Sequence, residues 1–438
     1  MKEIAQRIFR NTLAAIDIPA AIEKKLARSG ASICIHNETI DIKAFDEIVA
    51  ISFGKASIAM AEGLARLLGP DFPLEGILVA PSAPQRELFG WKVFVGGHPI
   101  PNVESFAAGR AILDRLARCD ERTLIFFLIS GGGSALVEQA LNPAITPEDF
   151  RALHAALVTC GAPIQEINAV RKHLSATKGG RLAAAAPNSP KITLAVSDVP
   201  QGHESALASG PTLPDPATVG DVLRVVAQYD LLARLPERLR AALDPNALRE
   251  TPKPGDAAFA RSRFVMLLAE HELLHAAHHA CEAEGYSCVC EHATNDWPVE
   301  EAADYLLAQL EALAIANPGK GVAVLANGEL SSPVTGDGIG GRNSAFVLAC
   351  VPKIAEKNIT VLNAGTDGID GNSPAAGAVA DGETMARATA AGVDPRDFQL
   401  HSDSYAFFAA LGDALLTGPT GNNLRDLRIL LSGEPPKP

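Results

Sequence analysis

Short apolar runs recur along the chain and alternate with amphipathic stretches. Leu124-Ile125-Phe126-Phe127-Leu128-Ile129 is apolar without alternation and rich in β-branched and aromatic residues. Such a run suits a strand buried on both faces of a parallel sheet. The same reading predicts strands at EIVAISF (Glu47 to Phe53), EGILVA, KVFVGG and KITLAVS (Lys191 to Ser197), the first leading into a helix over GKASIAMAEGLARLL. A second set, RFVMLLA, YSCVCEHA, GVAVLAN and ITVLNAG, is separated by helices such as VEEAADYLLAQLEALAIA. Alternation of this kind predicts a doubly wound α/β architecture with ligands at the carboxyl ends of the strands. Between Arg234 and Ala260 the prolines and charges of RLPERLRAALDPNALRETPKPGDAAFA read as a boundary or an excursion between domains. The expected division is an N-terminal parallel-sheet domain over 1–245 and a smaller α/β domain over 246–438.

The strand ends carry the candidate chemistry. After Leu124–Ile129 comes Ser130-Gly131-Gly132-Gly133-Ser134, and ALVEQAL reads as a following helix. Glycines let the backbone approach a ligand closely, and free N–H groups at a helix start attract an anion. A plain turn would need one glycine, so three in a row favour a ligand. In SFGKAS, Lys55 follows a strand at the start of a helix, where a cation is disfavoured unless an anion compensates it. The stretch EINAVRKHLSATKGGRLA is the densest positive segment of the chain, and on a helix Arg171, Ser175 and Lys178 would share one face. Asp198 comes directly off the strand KITLAVS, where a carboxylate suits proton transfer, metal binding or a helix cap. Two later loops, NGELSSPVTGDGIGGRNSAFVLA and NAGTDGIDGNSPAAGAVADG, bring Glu329, Asp337 and Arg342, then Asp367, Asp370 and Asp381. Carboxylates beside cationic loops suit Mg²⁺ bridging phosphates.

Two shorter patterns carry less. Gly336, Gly338 and Gly341 fit G-x-G-x-x-G, but SSPVT stands where a buried strand should precede it. His271 to His275 fits H-E-x-x-H on a helix without a suitable third ligand, which argues against a zinc protease. No Walker A sequence occurs.

Composition narrows the partners. A formal net charge of -13 argues against nucleic acid or an anionic membrane, so an anionic substrate must be held by a local cluster of cations and N–H groups. The N-terminal segment reads as an amphipathic helix rather than a signal peptide, and no apolar run reaches the roughly 18 residues of a membrane span. Seven scattered cysteines without a framework read as free thiols in a reducing compartment, and the expected location is the cytoplasm.

Taken in order, SGGGSAL, NAVRKHLSATKGGRLA, SDV with ASGPTLPDP, NGELSSPVTGDGIGGRNSAFVLA and NAGTDGIDGNSPAAGAVADG resemble the bacterial glycerate 2-kinases over most of the chain. The resemblance implies a Rossmann-like N-terminal domain, a C-terminal MOFRL domain and an active site in the cleft between them. It further implies transfer of the γ-phosphoryl group of ATP, with Mg²⁺, to the 2-hydroxyl of D-glycerate. On these positions Lys55 and Arg342 resemble the cations facing the phosphoryl group. Ser130 to Ser134, Arg171 and Lys178 resemble anion-binding groups, with Gly336 and Gly338 as further binding positions. Asp198 and Asp367 are the candidates for metal ligand or base, their roles not separated. A homodimer is left open. The chain departs from the family at Gln201-Gly202 (usually Gly-Asp), at Glu270-His271 (usually Ser-Asn) and at Asn422-Asn423-Leu424 (usually Thr-Asn-Val). The alternatives are an NAD(P)H-dependent hydroxypyruvate reductase, a name members often carry, and a non-catalytic anion- or nucleotide-binding relative.

Overall fold

A computed structural model describes residues 1–435 except 36, 198, 200 and 201. The chain forms two compact units, Ile18–Leu268 and Met1–Asp17 together with Ala269–Pro438.

The first unit is built on six parallel strands in the order Trp91–Val95, Glu75–Ala80, Glu47–Phe53, Thr123–Ser130, Lys191–Val196, Ser262–Leu268. Numbered along the chain this is 3-2-1-4-5-6, the doubly wound order whose reversal falls between Glu47–Phe53 and Thr123–Ser130. Thr123–Ser130 is buried at every position, as its unbroken apolar run requires. Helices Ser57–Leu68 and Val103–Leu116 pack on the sheet; Asn102 caps the latter in a reciprocal box with Ser105. RFVMLLA, grouped by sequence with the second set, hydrogen-bonds in parallel to Lys191–Val196 and forms the edge of this sheet. The Pro-rich stretch after Arg234 is no open linker. Its Leu235, Leu239, Leu243 and Leu248 are buried with Phe150, Leu153, Val170 and Val225 in a helical cluster of the same unit.

The second unit carries a mixed sheet in the order Ser287–Glu291, Val322–Asn327, Asp426–Ser432, Ile359–Gly365, Gly377–Asp381, Ala414–Leu415. Only the first pair is parallel. Helices Val299–Ala316 and Arg342–Ile354 bury Leu306, Leu310, Phe346 and Val347 in its core. The N-terminal helix Lys2–Ala15 belongs to this unit, and Lys2 Nζ lies 2.8 Å from Asp413 Oδ2. Among the described residues no helix is long and apolar enough to cross a membrane.

Candidate active site

At the point of reversal in the first sheet, two strand ends lock together. Gly54 has φ +122°, and a Cβ there would lie 2.1 Å from Ser130 Oγ and 2.6 Å from Ser130 O. Only glycine fits. The buried Ser130 Oγ accepts from the Ala56 N–H at 3.0 Å, and the Lys55 N–H donates to Gly131 O at 2.9 Å. Lys55 and the triple-glycine turn therefore move as one piece. A Cβ on Gly132 would stand 3.0 Å from the His98 ring and 3.3 Å from Lys55 Cγ, so these three residues line one spot. His98 had no part in the sequence expectation. Its only signal was its place directly after the Gly-Gly that ends KVFVGG.

The helix expected over ALVEQAL is one turn, Gly133–Leu136, and Val137 is extended. The site is therefore a cradle of turns rather than a helix terminus. Ser134 Oγ lies 2.9 Å from Ser209 Oγ, which reaches Asn168 Oδ1 at 3.4 Å. Ala208 and Ser209 have φ of +48° and +62°, left-handed conformations that cost non-glycine residues on the order of 1–3 kcal/mol each. The Gly179 and Gly180 N–H groups donate to Ser209 O and Gly210 O at 3.0 and 2.7 Å and hold that turn in place.

The basic segment divides. Its helix ends at Leu174 and Ser175 is extended, so Arg171, Ser175 and Lys178 do not share a helical face. The Lys178 side chain is 2% exposed and donates to Glu138 Oε2 at 2.6 Å and Val137 O at 3.2 Å; burial lowers its pKa. Glu138 also accepts from Ser175 Oγ at 2.5 Å. Arg171 is different. Its guanidinium meets the His154 ring and makes no ion pair among the described residues. Burial lowers the pKa of Arg171, and burial together with Arg171 lowers that of His154. Glu138, already engaged by Lys178 and Ser175, offsets that burial for Arg171 only in part. Asp198 and Gln201 lie outside the described residues.

In the second unit, charged groups gather at one end of the sheet. Arg342 is the first residue of Arg342–Ile354; its Nη1 lies 2.7 Å from Glu329 Oε2 and its Nε 2.6 Å from Asp426 Oδ2. Burial opposes the charge of Arg342, but Asp426 and Glu329 outweigh it and hold its pKa above the ordinary value. Burial raises the pKa of Asp426 despite Arg342. Asp370 fixes the start of the same helix, accepting from the Asn343 and Ser344 N–H groups at 2.9 Å each and from Ser344 Oγ at 2.5 Å. A Cβ on Gly341 would fall 2.2 Å from Asp370 Oδ1, so glycine is needed at that approach. Burial pushes the Asp370 carboxyl up to about 6, against those hydrogen bonds.

Asp367 stands just past Ile359–Gly365 and accepts from the Ile369 N–H at 3.0 Å. Arg425 bonds Asn295 Oδ1 at 3.0 Å and lies 3.3 Å from Glu270 Oε2, a pair the sequence reading missed although Arg425 directly follows Asn422-Asn423-Leu424. Gly336 and Gly338 pack against His401 and Asp403. The Gly338, Ile339 and Gly340 N–H groups donate to His401 O, Asp403 Oδ1 and Asn372 Oδ1 at 3.1, 2.8 and 2.8 Å. These three donors of the glycine loop are spent on the protein. In HELLH, Glu272 accepts from the Ala269 N–H at 2.7 Å, and His271 and His275 are exposed. Among the described residues no group of three His, Cys, Asp or Glu has the geometry to hold a metal ion.

Fold and site together define a two-unit α/β protein with anion-suited turns at a doubly wound reversal point and a second array of arginines and carboxylates. Comparison with known families matches residues 4–244 to the domain of unknown function DUF4147 and residues 322–426 to the MOFRL family. The chain belongs to this DUF4147–MOFRL family. It is 30% identical to the D-glycerate 2-kinase of Thermotoga maritima, covering 90% of this chain and 92% of that one. It is 30% identical to a glycerate 2-kinase of Pyrococcus horikoshii, over 98% and 97%. A protein of Agrobacterium vitis provisionally named hydroxypyruvate reductase is 34% identical over 99% and 94%. Among solved structures, glycerate kinase of Thermotoga maritima superposes with a TM-score of 0.83 at 29% identity, covering 99% of each chain.

Proposed function

We propose that this protein is a D-glycerate 2-kinase, moving the γ-phosphoryl group of ATP to the substrate 2-hydroxyl and releasing ADP. The observation that carries the reading is the Gly54–Ser130 lock, which sets Lys55 beside three glycines at the reversal point. Phosphoryl transfer needs alignment and charge neutralisation more than a covalent nucleophile. We assign Lys55 and Arg342 to the charge of the transferring group. We assign the turn Ser130 to Ser134 with Arg171 to an oxyanion of glycerate or nucleotide. Ser130 serves that turn from below, as the hydrogen-bond acceptor that fixes it.

Mg²⁺ belongs to the same proposal. It is held through one or two carboxylates together with substrate phosphates, so the chain need not supply a closed ligand set. Asp367 suits that part, with Asp198 as the second candidate; the ion would neutralise charge on the phosphates. Asp370 is spent on Asn343 and Ser344 and is assigned to positioning Arg342. Seven free cysteines support a cytoplasmic location.

The test is a side-by-side assay. Mg-ATP with D-glycerate should release ADP, while NAD(P)H with hydroxypyruvate should not be oxidised. The opposite pattern would assign the chain to the reductases.

A further inference from the structure

Three of the seven cysteines gather in the second unit, away from the arginine–carboxylate array. Cys281 lies in the last turn of Glu270–Ala283, and Cys288 and Cys290 lie on the edge strand Ser287–Glu291. Two positions apart on a strand, the latter two share a face, and both sulfurs meet His278 of the helix. Cys288 Sγ is 3.4 Å from His278 Nδ1 and Cys290 Sγ is 3.7 Å from it. The opposite ring nitrogen, Nε2, is 3.4 Å from Glu282 Oε1. That carboxylate selects the tautomer whose Nδ1 is free to take a proton from a thiol. Cys281, fully buried, follows His278 by three positions in the same helix and so shares its face, and Cys288 is partly open to solvent.

We propose that Cys288 is a modification site for hydroperoxides, with Cys281 as the thiol that resolves it. Cys288 passes its proton to His278 Nδ1, and its sulfur attacks the terminal oxygen of ROOH. The O–O bond breaks, the sulfur is oxidised to a sulfenic acid, and the peroxide is reduced and leaves as ROH. The Cys281 sulfur then attacks the sulfenic sulfur, the S–O bond breaks, and the oxygen departs with the Cys281 proton as water. In sum, two thiols and one hydroperoxide give one disulfide, one alcohol (or water, from hydrogen peroxide) and one water. The product staples the end of the helix to the sheet edge.

The electrostatics run in the same direction. Cys281 lowers the Cys288 pKa against burial and Glu282, while Cys288, then burial, raises that of Cys281. The thiolate, which is the nucleophile, forms at Cys288. Cys350, fully buried, is raised by burial. A metal site is the other use of such a cluster, but among the described residues no group of three has metal-holding geometry.

The experiment treats the full-length protein at neutral pH with a few equivalents of hydrogen peroxide, alkylates the remaining thiols, and digests without reduction. Cleavage after Glu282 and Glu284 separates the Cys281 peptide from the one carrying Cys288 and Cys290. The expected product is a Cys281–Cys288 disulfide between those peptides. Cys281→Ser should instead leave a sulfenic acid on Cys288 that dimedone captures. Exposed Cys34, on the other unit, is the internal comparator, and Cys288 should react about tenfold faster. His278→Ala should remove most of that advantage while the Cys34 rate stays unchanged. Cys288 reacting no faster than Cys34, or a disulfide that joins Cys281 to Cys290, would overturn the proposal.

Discussion

Replacing Arg342 with alanine should cost the protein both turnover and stability, and the two losses should separate. The guanidinium bridges Glu329 at 2.7 Å and Asp426 at 2.6 Å, and the Asp426 side chain is only 5% exposed. Removing one partner of a buried pair leaves the other charge uncompensated, at about 3–5 kcal/mol. Because Arg342 is itself 35% exposed, the low end, about 3 kcal/mol, is expected after solvent screening. Burial already raises the folded pKa of Asp426, and losing Arg342 raises it further. An acid whose pKa rises on folding holds a proton that the unfolded chain has lost. The penalty is therefore absent below the ordinary carboxylate range near 4 and grows as pH climbs through the folded value. Urea unfolding should show Arg342→Ala far weaker than the parent at pH 8 and closer to it at pH 5. Adding Asp426→Asn should recover about 2 kcal/mol, while turnover stays down by on the order of 10²-fold. Equal losses at both pH values, or no recovery in the double variant, would refute the reasoning.

Lys55→Ala should lower turnover by on the order of 10²-fold with the fold intact by circular dichroism; near-parent rates would remove Lys55 from the site. Gly54→Ala should destabilise the first unit by about 3 kcal/mol in denaturant unfolding, from an adverse φ together with overlap on Ser130. An unchanged midpoint would show that the two strand ends give way easily. Asp370 rises from 3.8 to about 6, so its contribution is greatest below pH 4 and is lost as pH rises through 6. The parent's stability relative to Asp370→Asn should therefore fall by about 3 kcal/mol between pH 4 and 7, at 1.36 kcal/mol per pKa unit. Parallel curves would mean that Asn343 and Ser344 keep the carboxylate ionised.

What could be read from the sequence follows from how locally each feature is determined. Leu124–Ile129 is buried all round, so its composition alone marks a central parallel strand, and Val299–Ala316 spans the very helix its pattern predicts. The one-turn helix after SGGGS was not legible, because a distant segment ends it. Leu141 N–H donates to Leu174 O at 2.9 Å and Ala140 bridges Ser175, which draws both chains into extended form. The same pairing ends the basic helix at Leu174 and turns Lys178 inward to Glu138. RFVMLLA could not declare its sheet, since a strand's period names its buried faces and not its neighbour. His98 and Arg425 lay in short polar turns whose importance comes only from what the fold places beside them. Lys55 and Arg342 were visible because each stands where a strand's loop opens into a helix.

The most direct measurement of the central claim is the identity of the product formed from Mg-ATP and D-glycerate. The enzyme would be incubated with D-glycerate, with L-glycerate and without acid, and each mixture passed to enolase alone. D-glycerate-dependent ADP release with phosphoenolpyruvate appearing on addition of enolase is the predicted result, since enolase accepts the 2-phosphate. ADP release whose product enolase cannot convert would place the phosphate on the 3-hydroxyl. No ADP release above the acid-free control would contradict the account outright.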